Sequence, residues 1–309
     1  MPVVFLMAPL VTQHQVEIGK MQTQGQFTYS ARMRRELNGM VVAITGASAG
    51  IGRALAEVLA ARGAKLALAA RRIERLEELN GALGGALLAI AADVSKEQDC
   101  QHFIEQTLAR FGRLDTLVCN AGYGFLCPVH EVPRQRMEQI FATNVLGTTD
   151  CIRFAMPYML KQEPIAGWRG QVMMVSSVVA RRGLPFFGPY SATKAAQLSL
   201  AEAMRIELRQ QQIAVTSIHP AGTDTEFGDV SASQSGGKRP QRVTGEPRQS
   251  SHTVAIKMTK AIEGPRPEVW PMRPTRWALS LATFFPSLAD AVLGRRSDQI
   301  GDTARDGVQ

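Results

Sequence analysis

The chain has 309 residues, of which 45% are hydrophobic; this suits one large α/β domain or two small ones and excludes a disordered chain. Lys and Arg number 35 against 27 Asp and Glu, a net charge of +8. The excess gathers in runs at 32–35 and 238–248, which read as solvated segments rather than the continuous stripe of a nucleic-acid surface.

Residues 1–38 show no steady period and are predicted to form a mobile arm. The run from Met33 resembles a natural domain start, so that 1–32 read as an upstream extension. An apolar run at 40–45 predicts a strand buried on both faces. A Gly-rich turn follows. Ile51, Ala54, Leu55, Val58 and Leu59 then recur at helical spacing as far as Gly63. A strand is predicted at 65–70, a charged helix at 74–79 and a third strand at 86–91. Ser95 with Gln98 has the form of a capping box for a helix ending near Gly112. A fourth strand at 114–119 precedes a long helical stretch over 131–161. A fifth strand at 171–175, a helix over 190–211 and a sixth strand at 213–219 follow. After Pro220, residues 231–251 are rich in Ser, Gly, Arg, Gln and Pro and predict a flexible loop. A helix over 253–263 and a short strand at 268–270 come next. The last apolar stretch, 277–293, is interrupted by Pro286, which should split it into two short helices. Strands alternating with helices imply an α/β fold: a doubly wound parallel sheet covered on both faces, with its ligand crevice at the carboxyl ends of the strands.

The turn Thr45-Gly46-Ala47-Ser48-Ala49-Gly50-Ile51-Gly52 sits between the first strand and first helix. Glycines there let the backbone approach a pyrophosphate, and the helix N-terminus offers free N–H groups to its charge. In many such sites an acidic residue ends the second strand and binds a ribose 2′-hydroxyl. Here Ala70 ends it and Arg71-Arg72 follow. A guanidinium binds a 2′-phosphate that a carboxylate would repel, so the charge points to NADP(H). Tyr190 and Lys194, four residues apart on a helix, share one face. A nearby ammonium favours phenolate, which suits a general acid/base. Ser177, at the end of the fifth strand, can hydrogen-bond a substrate oxygen. An ordinary amphipathic helix start gives the same Tyr-x-x-x-Lys spacing, so the pair carries weight only within the set.

As a set, these residues resemble the short-chain dehydrogenase/reductase family, in its single-domain, NADP-preferring form. The turn resembles that family's TGxxxGxG motif. Asp93, with Val94, matches the position that contacts the adenine; Asn120-Ala121-Gly122 matches NAG; Asn144, Ser177, Tyr190 and Lys194 match the catalytic positions. Pro220, Gly222, Thr223 and Thr225 match the segment near the nicotinamide. The likeness covers 40–272. Ala221 departs from the usual Gly, and Ala49 from the basic residue of some NADP members, leaving Arg71 as the main cofactor discriminator, helped by Ser48, Arg72 or Arg53.

The resemblance implies a Rossmann-type three-layer domain over 39–272; composition adds a mobile substrate loop at 228–251, and apolar spacing a helical extension at 273–309, outside the family core. It implies an NADP(H)-dependent oxidoreductase interconverting a carbonyl and an alcohol. Tyr190 then moves the proton, Ser177 holds the oxygen, Lys194 binds the ribose and lowers the tyrosine pKa, and Asn144 positions a relay water. It implies a homodimer or homotetramer through the helices at 131 and 190. No metal is needed: His14, His102, His130, His219 and His252 show no ligand spacing, and His219 reads as a strand-end residue. Cys100, Cys119, Cys127 and Cys151 form no CxxC pair, so a reduced, cytoplasmic setting is expected. The apolar stretch at 3–11 lacks a basic stretch before it and reads poorly as a signal peptide. Leu184, Pro185, Phe186, Phe187 and Phe227 predict an apolar lining for a small-molecule substrate. The C-terminal stretch reads as core or subunit packing, with an entrance flap or a weak membrane-surface contact as alternatives. Two other readings are an NADP(H)-binding redox sensor without turnover and a nucleotide-sugar epimerase or dehydratase. The TGxxxGxG spacing argues against the epimerase.

Overall fold

The computed structural model describes residues 34–235 and 248–294. The arm at 1–33, the centre of the predicted loop at 236–247 and the tail from 295 lie outside the described residues. In chain order come β1 (Val41–Thr45), α1 (Gly50–Ala60), β2 (Lys65–Ala70), α2 (Ile73–Ala82), β3 (Leu88–Ala91), α3 (Glu97–Phe111) and β4 (Thr116–Cys119). The second part holds α4 (Arg134–Phe141), α5 (Gly147–Met159), β5 (Gly170–Val175), α6 (Gly188–Glu207) and β6 (Ile213–Ile218). The third holds β7 (Thr223–Asp224), α7 (Phe227–Ser233), β8 (Gln249–Ser250), α8 (Ser251–Glu263), β9 (Glu268–Val269), α9 (Arg273–Phe284) and α10 (Pro286–Gly294).

The main sheet runs β3-β2-β1-β4-β5-β6-β9, parallel throughout. The strand order reverses between β1 and β4, which opens a crevice beyond their carboxyl ends. Side chains alternate along each strand, so each strand feeds two cores. Val42, Ile44, Leu66 and Leu68 meet Leu55, Leu59, Leu76 and Met258 from α1, α2 and α8. Val41, Ala43, Ala67 and Val172 meet Phe103, Ile104, Cys151 and Ala155 from α3 and α5. Leu55 and Leu59 are fully buried; each contributes about 1.5–3 kcal/mol of transfer free energy. This is the predicted three-layer, doubly wound fold.

Several local readings are corrected. The Ser95–Gln98 capping box does not form: the N-cap of α3 is Lys96, and the Ser95 hydroxyl instead donates to Asp93 Oδ1 at 2.8 Å. The long helical stretch predicted over 131–161 is helical without a break over 134–159, but a π-helical turn, Ala142–Leu146, interrupts its α-helical pitch. The predicted loop over 228–251 begins inside α7 and ends in β8 and α8, and β7 pairs with β8. Arg35, read as part of a solvated run, is buried. Its guanidinium donates to Ile262 O at 2.6 Å, to Asp115 O at 3.3 Å and to Gln171 Oε1. Burial lowers its pKa to about 10, with Asp115 acting against the fall. The chain from Arg34 onward therefore packs on the domain rather than belonging to an arm. The predicted break at Pro286 is present, and α9 and α10 meet at 114°. No single helix among the described residues is long and apolar enough to cross a membrane.

Candidate active site

A cleft of about 1380 Å³ opens at the strand carboxyl ends, where the β1–β4 reversal predicts it. Its floor is the glycine turn. Asn120 at the end of β4 ties that turn down: its side-chain amide donates to Thr45 O at 3.0 Å and Gly46 O at 3.1 Å. The Thr45 hydroxyl accepts from the N–H groups of Asn120 and Ala121. Gly46 has φ +66°, and a Cβ there would stand 2.8 Å from Ala121 Cα. A Cβ on Gly52 would stand 2.5 Å from Gly46 O. The turn therefore admits no side chain at these points and leaves the N-terminus of α1 facing the cleft, a cradle that fits a pyrophosphate.

Gly46, Ser48, Ala49, Gly50, Ile51, Arg71, Asp93, Val94, Asn120, Ala121, Gly122, Ser177, Tyr190, Lys194, Pro220, Gly222, Thr223 and Thr225 all line the cleft. Gly52 and Asn144 lie behind the wall and act through what they hold. Arg71 faces the cleft with no hydrogen bond or ion pair among the described residues. Arg72 donates to Ser48 Oγ at 3.3 Å and pairs with Glu226 at 3.2 Å; Arg75 also pairs with Glu226. Arg75 and then Arg72 hold the Glu226 carboxyl below its ordinary pKa. Arg53 is spent on Glu57 and Glu78, away from the cofactor role allowed to it.

Deeper in the cleft, the Tyr190 ring packs tilted against Phe187 and Phe227 at ring separations of 4.8 and 5.2 Å. Leu184, Pro185, Phe187 and Phe227 join the lining, whereas Phe186 turns aside at φ +61°. Leu126, Leu279 and Leu293 extend the apolar wall from positions not picked out in the sequence. Burial pushes Tyr190 well above the ordinary tyrosine pKa, and a hydrogen bond with Ser177 opposes that rise. Burial brings Lys194 down to about 7. Its Nζ lies 5.6 Å from the Tyr190 ring centroid and donates to Val175 O at 2.8 Å. In this arrangement burial dominates, so Tyr190 is held as a phenol; the expected lowering by Lys194 does not govern it.

The Asn144 side chain is fully engaged: Oδ1 accepts from Tyr123 N at 3.0 Å, and Nδ2 donates to Tyr123 O at 2.9 Å and Thr193 Oγ1 at 3.0 Å. The π-helical turn presents its carbonyl toward α6. There the side chain of Gln197, a residue the sequence reading passed over, donates to Asn144 O at 2.6 Å and accepts from Lys194 Nζ at 2.9 Å. His219 stacks on Trp270 at 4.3 Å, and burial lowers its pKa to about 4. Its Nδ1 lies 3.3 Å from Ser177 O, so the neutral ring buttresses Ser177 and fits the strand-end reading. Among the described residues no group of three or more His, Cys, Asp or Glu is placed to hold a metal.

The family model for short chain dehydrogenases matches residues 40–235. 11-beta-hydroxysteroid dehydrogenase 1A of Arabidopsis thaliana is 38% identical over 207 residues, 65% of this chain and 57% of that protein. The match thus spans under two thirds of the plant relative's length. Among solved structures, a short-chain dehydrogenase/reductase from Burkholderia phymatum in complex with NAD superposes with a TM-score of 0.72 at 26% identity, covering 82% of this chain and 96% of that one. An alcohol dehydrogenase from Thermococcus sibiricus complexed with 5-hydroxy-NADP superposes with a TM-score of 0.65 at 28% identity, covering 75% and 96%.

Proposed function

The chain belongs to the short-chain dehydrogenase family, and from that premise we propose that it is an NADP(H)-dependent oxidoreductase interconverting a carbonyl and an alcohol on an apolar small molecule. The observation that carries the reading is a buried phenol, Tyr190, placed in one cleft with Ser177, Lys194 and a glycine-turn cradle. The cradle, Asp93 and Val94, Asn120 to Gly122 and Pro220 to Thr225 would hold the cofactor. Arg71 would meet a 2′-phosphate, and no carboxylate ends β2 to repel it. When bound, the cofactor supplies or accepts the hydride.

The protein's own part is to place the substrate oxygen and move one proton. The Ser177 hydroxyl donates a hydrogen bond to that oxygen. Tyr190 gives its phenol proton to it during reduction and takes it back during oxidation. At neutral pH the phenol carries its proton, the form that can protonate a carbonyl oxygen. The Lys194 ammonium would hold the ribose and offset the phenolate charge left behind. Phe187, Phe227, Leu279 and Leu293 exclude water from an apolar substrate.

The segment that begins with α7, which puts Phe227 and Val230 on the cleft, is proposed to close over bound ligand. The π-helical turn, α5 and α6 leave Leu146, Tyr158 and Ile206 exposed, which supports association as a homodimer or homotetramer. A cytoplasmic setting is proposed from the cysteines, since Cys100, Cys119 and Cys151 are buried as free thiols. The α9–α10 hairpin puts Leu279 and Leu293 on the cleft, which supports the entrance-flap reading over burial in the core. Its outer face, with Arg273 and Arg276 beside exposed Trp277 and Phe284, suits weak contact with an anionic membrane surface.

Screening carbonyl compounds with NADPH consumption as the readout tests the main reading. Turnover on at least one apolar carbonyl is expected. Tight NADPH binding with no turnover on any compound would favour the redox-sensor alternative.

A further inference from the structure

Gln197 lies one helical turn beyond Lys194 on α6 and is fully buried. A buried amide with no task would cost stability, so its bonds need accounting for. Its Oε1 accepts from Lys194 Nζ at 2.9 Å. Its Nε2 donates to Asn144 O at 2.6 Å and to Thr148 Oγ1 at 2.9 Å. The Thr148 hydroxyl itself donates to Asn144 O at 3.0 Å. Two donors therefore fill the Asn144 carbonyl, and one of them continues directly to the lysine. That carbonyl is presented by the π-helical turn, so the turn, Gln197 and Lys194 form one rigid chain.

We propose that Gln197 is a positioning residue: it anchors Lys194 to the π-helical turn and supplies the acceptor that keeps the lysine an ammonium in a buried site. The proposal rests on the function proposed above for the consequence it has on turnover, but not for the bond itself. An amide neither gains nor loses a proton near neutral pH. Gln197 thus fixes Lys194 without itself relaying protons. Burial acts against the charge on Lys194, and an acceptor on the ammonium acts for it. Among the described residues, the titratable groups facing Lys194 are Tyr190 on α6 and Cys119 on β4. Burial pushes the Cys119 thiol up, so it is uncharged. From β5 and the π-helical turn come only carbonyls and neutral side chains. The Gln197 and Val175 oxygens are therefore the acceptors that sustain the charge.

The test is a pH titration of the Lys194 ammonium by nitrogen-15 NMR in the full-length protein without cofactor, assigned through Lys194→Arg. Gln197→Met keeps the volume and removes the acceptor; Gln197→Glu keeps an acceptor and adds charge. The expected shift is downward by about one pH unit in Gln197→Met, a tenfold loss of proton affinity, and upward in Gln197→Glu. In carbonyl reduction the alkaline limb should move to lower pH in Gln197→Met and to higher pH in Gln197→Glu. A purely structural role would weaken both variants without moving the midpoints in opposite directions. An unchanged Lys194 midpoint in Gln197→Met, or a shift of one sign in both variants, overturns the proposal. Should Gln197→Met fail to fold, the sign in Gln197→Glu decides. Absence of turnover by the wild type would fail the proposed function while leaving the titration readable.

Discussion

The glycine turn and the α9–α10 hairpin border the same cleft and are built on opposite principles. At the turn, polar groups are bonded, side chains are excluded by contact, and Asn120 locks two strands together. On the hairpin, no residue of α9 is buried, and Trp277 and Phe284 are 75% and 79% exposed. The turn is specified by close approach, which permits few residues. The hairpin is specified by amphipathic spacing, which many sequences satisfy. A site that must present fixed N–H groups to a charged ligand needs the first; a wall that must fit an apolar molecule or meet another surface needs only the second.

The sharpest way to break this contrast is at Tyr190, on the rigid side. Tyr190→Phe should cut turnover by roughly 10²- to 10⁴-fold while NADPH still binds. Steady-state kinetics with fluorescence titration of NADPH checks both halves, and retained turnover would remove the general acid. Next comes charge at the edge of the cradle. Arg71→Ala should weaken NADPH by on the order of 1.5–3 kcal/mol, roughly ten- to a hundredfold, and leave NADH almost unchanged. Equal losses for both cofactors would show that Arg71 meets no 2′-phosphate. Glycine contacts give a third comparison. Gly52→Ala puts a Cβ 2.5 Å from Gly46 O and should cost about 1–3 kcal/mol in a thermal melt. Gly183→Ala, with nothing within 4 Å of the new Cβ, should stay within about 0.5 kcal/mol of wild type.

The same division decides what was legible in the sequence. The ends of β2, Lys65 and Ala70, are legible because a short apolar run between a helix stop and a charged turn leaves little choice. Tyr190, Lys194 and Ser177 were legible as helical spacing and a strand end weighed within a set of motifs that resembles a family, and all three line one cleft. Gln197 was not, since its partner Asn144 is 53 residues away and a glutamine at helical spacing carries no local signal. Arg35 was misread for the same reason: its acceptor on Gln171 lies 136 residues away, and a run of basic residues looks solvated until the fold covers one of them. The π-helical turn also escaped, because it adds no break in hydrophobic period across 131–161. The Ser95–Gln98 pattern was real in sequence and empty in structure, since Asp93 captures the Ser95 hydroxyl first.

The smallest effect on stability is expected on the hairpin, where it separates two kinds of need. Trp277 and Phe284 make little contact within the chain, so replacing both with Ser should change folding free energy by no more than about 0.5 kcal/mol. Turnover on small carbonyls should likewise persist, because the residues that face the cleft from this hairpin are Thr275, Leu279 and Leu293. What should fall is attachment to anionic vesicles at low salt, measured by sedimentation, because the double variant removes the two most exposed aromatic side chains of the apolar face and keeps Arg273 and Arg276. Attachment surviving the double change but lost in high salt would make the contact electrostatic alone. No attachment by the wild type, with a change in mass by light scattering in the variant, would transfer the exposed face to a second copy of the chain. A large loss of stability instead would mean that the hairpin packs as tightly as the turn, and the contrast between the two sides of the cleft would fail.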